Sequence, residues 1–205
     1  MQLHAIVPVK ALARAKGRLV GTLSPAERRL LVLEMLGRVL RALRRAPVAA
    51  VWVVSADATV LACAESYGAR PLLEQAQDLN GALEQARQAA RAVGAEAVVV
   101  VPADVPLLAP GDIAGLAALL TGGAAVALAP DAAGQGTNAL AMRAAVELPF
   151  AFGVGSAALH LRAAAERSLP ASLYHSPTLA LDVDDAPSLA RYRALVPEPA
   201  CHACG

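Results

Sequence analysis

Two carboxylates, Asp182 and Asp184, stand two positions apart in Leu179-Ala180-Leu181-Asp182-Val183-Asp184-Asp185-Ala186-Pro187. The apolar residues around them predict a strand over 179–183, and a period of two puts both acids on one side of it. Buried without a partner, such a pair is costly. A hard cation would remove the cost. Magnesium prefers oxygen ligands and is often held by one or two carboxylates together with phosphate oxygens. Asp104 is a further carboxylate. It follows the apolar run Val98–Val101 within three residues, in a turn that Pro102 and Pro106 stiffen. Taken alone, Asp104 fits a local cap or turn equally well.

A second group is cationic. Lys10, Arg14, Lys16 and Arg18 bring four positive charges into nine residues, just past the run Leu3–Val9. The whole chain carries a formal net charge of only +1, so this is a local concentration. Cations and main-chain N–H groups in a loop suit the oxygens of a polyphosphate. The plain alternative is an exposed basic loop. Its place after a first strand favours phosphate contact. No GxxxxGK[ST] motif is present, which argues against a P-loop nucleotide hydrolase.

Two further loops carry neutral donors. Gly134-Gln135-Gly136-Thr137-Asn138 lies between two strand-like runs, where glycines allow close backbone approach to an anion and a hydroxyl and an amide can bond it. A plain hairpin turn is the alternative. Phe152-Gly153-Val154-Gly155-Ser156 leads into a helix whose N-terminus suits a phosphate. There Ser156 is either a ligand contact or a simple N-cap, and His160 either touches a ligand or packs on the helix. No clear first strand precedes this GxGxxA-like run, so it does not read as a dinucleotide fingerprint.

The elements that must position these groups alternate. Strands are expected at Leu3–Val9, Val48–Val54, Arg70–Leu73, Ala97–Pro102, Ala124–Pro130, Asn138–Met142 and Leu179–Val183. Helices are expected at about 25–45, 58–67, 80–93, 110–120, 156–167 and 187–195. Ser24-Pro25-Ala26-Glu27 reads as a capping box with proline at N1. Leu30, Leu33, Leu36, Leu40 and Leu43 fall roughly on one face of the helix it opens. Asp185 is expected to cap the last helix, ahead of Pro187. Such alternation means an α/β fold with a mostly parallel sheet. In such sheets ligands sit beyond the carboxyl ends of the strands. The chain reads as one domain over 1–196, with 197–205 as a flexible tail.

The 205 residues suffice for a large core, and an apolar content of 57% with 17% charge excludes disorder. Aromatics at 3% leave little for base stacking, and the charge balance builds no field for nucleic acid. No apolar run reaches a membrane span. The N-terminus lacks the basic region of a signal peptide, so a cytoplasmic protein with reduced cysteines is expected. The pair in Cys201-His202-Ala203-Cys204 has no second CxxC and reads as incidental. Cys63 reads as core.

Together these segments carry a resemblance. The chain resembles the 2-phospho-L-lactate / phosphoenolpyruvate guanylyltransferases that build the deazaflavin coenzyme F-420. It does so through VPVKALARAKGRL at 7–19, LSPAER at 23–28, VVSAD at 53–57, LN at 79–80, PADVPLL at 102–108, PDAAGQGTNAL at 130–140, FGVGS with the later His at 152–160, and LDVDDAP at 181–187. GTNAL with FGxGS is the specific part; the rest fits the wider nucleotidyltransferase group. Gln135 stands where the family usually has a third glycine, and Asp185 where a Thr is frequent.

The resemblance implies a Rossmann-like three-layer sandwich of the GT-A nucleotidyltransferase type. It implies magnesium on Asp104, Asp182 and Asp184. It also implies nucleotide contacts from Pro8, Val9, Lys10, Lys16, Arg18, Asn80 and Asp104, with Lys16 and the three acids as the catalytic set. Thr137, Gly153 and Ser156 would meet a small phosphorylated acid. The partners implied are GTP and that acid, with no nucleic acid and no membrane. Oligomeric state stays open, a homodimer among the options. The acceptor's phosphate oxygen would attack the α-phosphorus of GTP. It is largely ionised at neutral pH and needs no general base. Alternatives are a related nucleotidyltransferase acting on 3-phosphoglycerate, a molybdopterin or a sugar phosphate, and a non-catalytic nucleotide-binding protein.

Overall fold

A computed structural model describes residues 1–196; the expected tail and its CxxC pair lie outside them. Seven strands form one sheet in the order β3-β2-β1-β4-β6-β5-β7. They are β1 (Leu3–Pro8), β2 (Ala50–Ser55), β3 (Arg70–Leu73), β4 (Ala97–Val100), β5 (Val126–Pro130), β6 (Thr137–Arg143) and β7 (Ala171–Leu173). Six helices connect them: α1 (Pro25–Arg44), α2 (Ala58–Ser66), α3 (Leu79–Ala92), α4 (Pro110–Thr121), α5 (Ser156–Glu166) and α6 (Ala186–Leu195). All pairings are parallel except those of β6, which runs antiparallel to both β4 and β5.

Alternating residues build the two sides of the sheet. Leu3, Ala5, Val7, Ala97 and Val99 pack with α1, α2, α4 and α6. Ile6, Val98, Val100, Leu140 and Met142 pack with α3 and α5. The central strands are buried on both faces, as a parallel sheet between helix layers requires. The Ser24–Glu27 capping box forms as expected, and Asp185 caps α6 by accepting from the Ser188 N–H. Leu36, Leu40 and Leu43 are buried, but Leu30 is 67% exposed and lies off that face. Cys63 is half-buried against the core.

Two expectations need correction. Residues 179–183 are not a strand. Leu179, Leu181 and Val183 are buried and the residues between them half-buried, so the period of two is real. The hydrogen bonds, however, go to loops: Val183 N–H donates to Asp104 O, and Leu179 O accepts from Asn138 Nδ2. The seventh strand is instead Ala171–Leu173, three partly exposed residues at the sheet edge.

β1 to β3 step outward on one side of β1, while β4 lies on its other side. This is a topological switch point, and it opens a crevice beyond the carboxyl ends of β1 and β4. Antiparallel β6 begins at that same edge with Thr137, because Leu140 pairs with Val100 and Arg143 with Ala97.

Candidate active site

The loop after β1 and the loop after β4 meet at the switch point. Lys16 Nζ lies 2.7 Å from Asp104 Oδ2 and 2.7 Å from Asp184 Oδ1. The Lys16 side chain is only 7% exposed. Its backbone is left-handed at φ 55°, between two short 3-10 turns, Leu12–Arg14 and Gly17–Leu19. That conformation is uncommon for a lysine and turns the chain sharply at this residue. The loop is pinned from β2's side: Leu12 N–H donates to Asp57 Oδ2 at 3.0 Å, and Asp57 also caps α2.

The acids are electrostatically unequal. Burial alone would raise the Asp184 pKa, but the Lys16 ammonium, with help from Arg18 and Lys10, holds it below the usual carboxylate range. Arg18 Nη1 is 4.0 Å from Asp184 Oδ2. Burial works against the charge on Lys16 too, yet Asp104 and Asp184 outweigh it and raise its pKa. Asp182 goes the other way. Burial, then the like charge of Asp104, raises its pKa, and the Asn138 amide, 3.5 Å from Asp182 Oδ1, opposes this weakly.

Of the three acids expected to meet, Asp104 and Asp184 share a cation of the chain's own, Lys16. Asp182 has no ion-pair partner among the described residues. Among these residues, no three acidic, His or Cys side chains stand close enough together to hold a metal ion. The donor chemistry still suits a hard cation: Asp104 and Asp184 share Lys16, and Asp182, whose pKa Asp104 raises, lacks neutralisation.

The remaining expected residues divide. Pro8 ends β1, and Val9 packs in the core with its N–H donated to Val54 O, so a ligand would meet its main chain. Lys10 and Arg18 are exposed. Asn80, near the start of α3, spends its amide on one residue: Phe152 N–H donates to Asn80 Oδ1 at 2.8 Å, and Asn80 Nδ2 donates to Phe152 O at 3.3 Å. It ties the 150–155 loop to α3. Gly153 and Gly155 adopt φ 136° and 69°, conformations that admit little but glycine. Gly155, not Ser156, is the N-cap of α5; Ser156 is the first helical residue and buried. Ala157 N–H donates to Gln135 O, joining the β5–β6 loop to the helix start.

Three residues support the site from behind; the sequence reading named Asn138 and His160 as candidate ligand contacts and missed Asp112. Asn138 holds both Leu179 O and Asp182. His160, fully buried, bonds Thr137 Oγ1 and the Ala151 N–H. Asp112, 4% exposed, accepts from Ser176 and Thr178 hydroxyls at 2.6 Å each and from the Ala109 N–H. It anchors the approach to 179–184 on α4. A polar residue inside an apolar helix, as in Asp112-Ile113-Ala114, was the available signal for the last.

Residues 3–192 match the family model described as Guanylyl transferase CofC like. The chain belongs to this guanylyl transferase family. It is 42% identical over 193 residues to a phosphoenolpyruvate guanylyltransferase of Chloroflexus aggregans, covering 92% of this chain and 95% of that one. It is also 42% identical over 190 residues to a 2-phospho-L-lactate guanylyltransferase of Methanothermobacter thermautotrophicus, covering 92% and 83%. A nucleotidyl transferase structure from Methanothermobacter superposes with a TM-score of 0.70 at 17% identity, covering 95% of this chain and 97% of that one. That likeness concerns the fold alone, and it agrees with the expected nucleotidyltransferase sandwich. No described helix is long and apolar enough to cross a membrane.

Proposed function

We propose that this family member transfers GMP from GTP to the phosphate of phosphoenolpyruvate or 2-phospho-L-lactate, releasing pyrophosphate, as a cytoplasmic step of coenzyme F-420 biosynthesis. One observation supports the chemistry most directly: Lys16 sits 2.7 Å from both Asp104 and Asp184 at the β1/β4 crevice. A basic loop and a carboxylate cluster share one point there. The names of the two relatives support guanine and the phosphorylated acid.

An acceptor phosphate oxygen attacks the α-phosphorus. One P–O bond forms, the α–β bridge breaks, and the β- and γ-phosphates leave as pyrophosphate. Lys16, Lys10 and Arg18 offset the charge on the triphosphate, and Lys16 can exchange a carboxylate for a phosphate oxygen as the nucleotide enters. Thr137, the main chain at Gly153 and the start of α5 orient the acceptor for in-line attack. Asp104 and Asp184, joined by Asp182 on a closer approach than the ligand-free arrangement shows, would hold magnesium, which would supply charge neutralisation at the transferring phosphoryl group.

The test is pyrophosphate release with GTP, ATP or CTP against phosphoenolpyruvate, 2-phospho-L-lactate and 3-phosphoglycerate, with and without magnesium. Release with GTP and one of the first two acids in magnesium is expected. Silence across every pair would sink the reading. Turnover with CTP or 3-phosphoglycerate instead would move the enzyme to a neighbouring nucleotidyltransferase.

A further inference from the structure

Thr137 Oγ1 and His160 Nδ1 lie 3.1 Å apart. Both residues are buried, at 5% and 0% exposure. The other ring nitrogen, Nε2, lies 2.9 Å from the main-chain nitrogen of Ala151. A main-chain N–H can only donate, so Nε2 accepts and carries no proton. A neutral imidazole has a single N–H, which must then be on Nδ1. Burial keeps the ring neutral by lowering its pKa to about 4, against a small opposing pull from the Ser156 carbonyl. Nδ1 therefore carries the hydrogen that faces Thr137 Oγ1, with the Ser156 carbonyl as a second acceptor beside it, and toward this ring Oγ1 can only accept. The hydroxyl's own hydrogen has no acceptor among the described residues, because Oγ1 makes no other hydrogen bond.

The direction of that free donor matters. Thr137 opens β6 at the ligand edge of the sheet. Beside it the Gln135 carbonyl is joined to the start of α5 by the Ala157 N–H. The His160 ring stands edge-on to Phe152, with centroids 5.0 Å apart, and its Nε2 holds the entry to the glycine turn.

We propose that His160 is a positioning residue that fixes the Thr137 hydroxyl as a hydrogen-bond donor, so that the subsite beside it takes an ionised oxygen of the acceptor acid. This rests on the reading that Thr137 faces the acceptor. A group that must itself donate, such as a protonated acid or an amide N–H, meets a donor and is rejected. With its tautomer held by a main-chain N–H, His160 leaves Thr137 one polarity, and selectivity for an anion follows from the buried network.

Two conservative variants separate the ring's two bonds. In His160→Gln the side-chain oxygen can replace Nε2 as acceptor for Ala151, while the donor to Thr137 is lost. In His160→Asn the amide nitrogen can replace Nδ1 as donor, while the Ala151 bond is lost. Long-range proton–nitrogen NMR of the His160 ring in the ligand-free protein should show Nδ1 protonated and Nε2 bare. His160→Gln should raise KM for phosphoenolpyruvate by about tenfold or more, as loss of an oriented bond to a charged group does, with KM for GTP within about twofold. Thr137→Val should do the same, and His160→Gln added to Thr137→Val should cost nothing further.

An Nε2–H tautomer overturns the proposal. So does a double variant whose acceptor KM is the product of the single effects, which would mark His160 as a loop anchor alone. If His160→Gln does not fold, His160→Asn decides: acceptor KM within about threefold supports the proposal, and a tenfold rise overturns it. A wild-type protein that releases no pyrophosphate with any acceptor would sink the proposed reaction, while the ring spectrum still reads the His160–Thr137 bond.

Discussion

Lys16 and Asp184, 168 positions apart in the chain, meet at 2.7 Å. The contact joins the first loop of the sheet to one of the last segments of the fold, and Asp104 completes it from the β4 loop. Lys16→Met should lower turnover by about a hundredfold or more, the usual cost of losing one group aimed at developing charge. It also leaves Asp104 and Asp184 facing each other without their cation. The ligand-free variant should melt below the wild type and gain more from added magnesium, as a thermal melt with and without the ion will read.

Asp182 makes the opposite prediction for stability. Its raised pKa means that its charge is disfavoured where it stands, by burial first and by Asp104 next. Asp182→Asn keeps an oxygen for the Asn138 amide and removes that charge. The metal-free variant should melt above the wild type, while pyrophosphate release falls by about a hundredfold or more. A variant that keeps full activity would remove Asp182 from the magnesium-holding set.

His160 sets an acid limit. Its folded-state pKa of about 4 lies below the ordinary 6.5, so the unfolded chain binds the proton first. Its contribution is fully present above pH 6.5 and is lost as pH falls toward 4. The loss reaches no more than about 3 kcal/mol. His4 shifts in the same direction, through burial and then Arg70, and adds to the trend. Urea unfolding at a series of pH values should show stability falling through this window, with a shallower slope in His160→Gln.

Asp112 holds up the acidic segment from behind. Asp112→Ala would strand the Ser176 and Thr178 hydroxyls and the Ala109 N–H that now donate to it. The expected cost is about 1–3 kcal/mol in urea unfolding, the penalty for partly buried donors left unpaired. Because 174–178 leads directly into 179–184, the magnesium concentration for half-maximal activity should rise as well. An unchanged magnesium requirement would show that the acidic segment holds its place without Asp112.

Much of this site was legible as residue types in the chain. The acids, the basic loop, the GTNAL run and the glycine turn all stood out because charge and glycine are conspicuous against an Ala-, Leu- and Val-rich background. Alternation of Leu179, Leu181 and Val183 correctly put Asp182 and Asp184 on one side. It misnamed the segment a strand, because burial of every second residue follows from extension, whereas strand pairing depends on what lies beside it. The real edge strand, Ala171–Leu173, went unread: three partly exposed residues carry no apolar signal.

Local chemistry was thus decided by the sequence alone: the Ser24–Glu27 box, the Asp185 cap, the strand–helix order and the left-to-right list of polar loops. These depend on neighbours within a turn or two, which the chain displays directly. Tertiary structure decided the rest. It set β6 antiparallel, which brings Thr137 to the ligand edge, and it spent the Asn80 amide on Phe152. It also brought Lys16 between two acids 88 and 168 positions away. Those outcomes turn on which groups are left without water and must find a partner in space, and sequence distance says nothing of that.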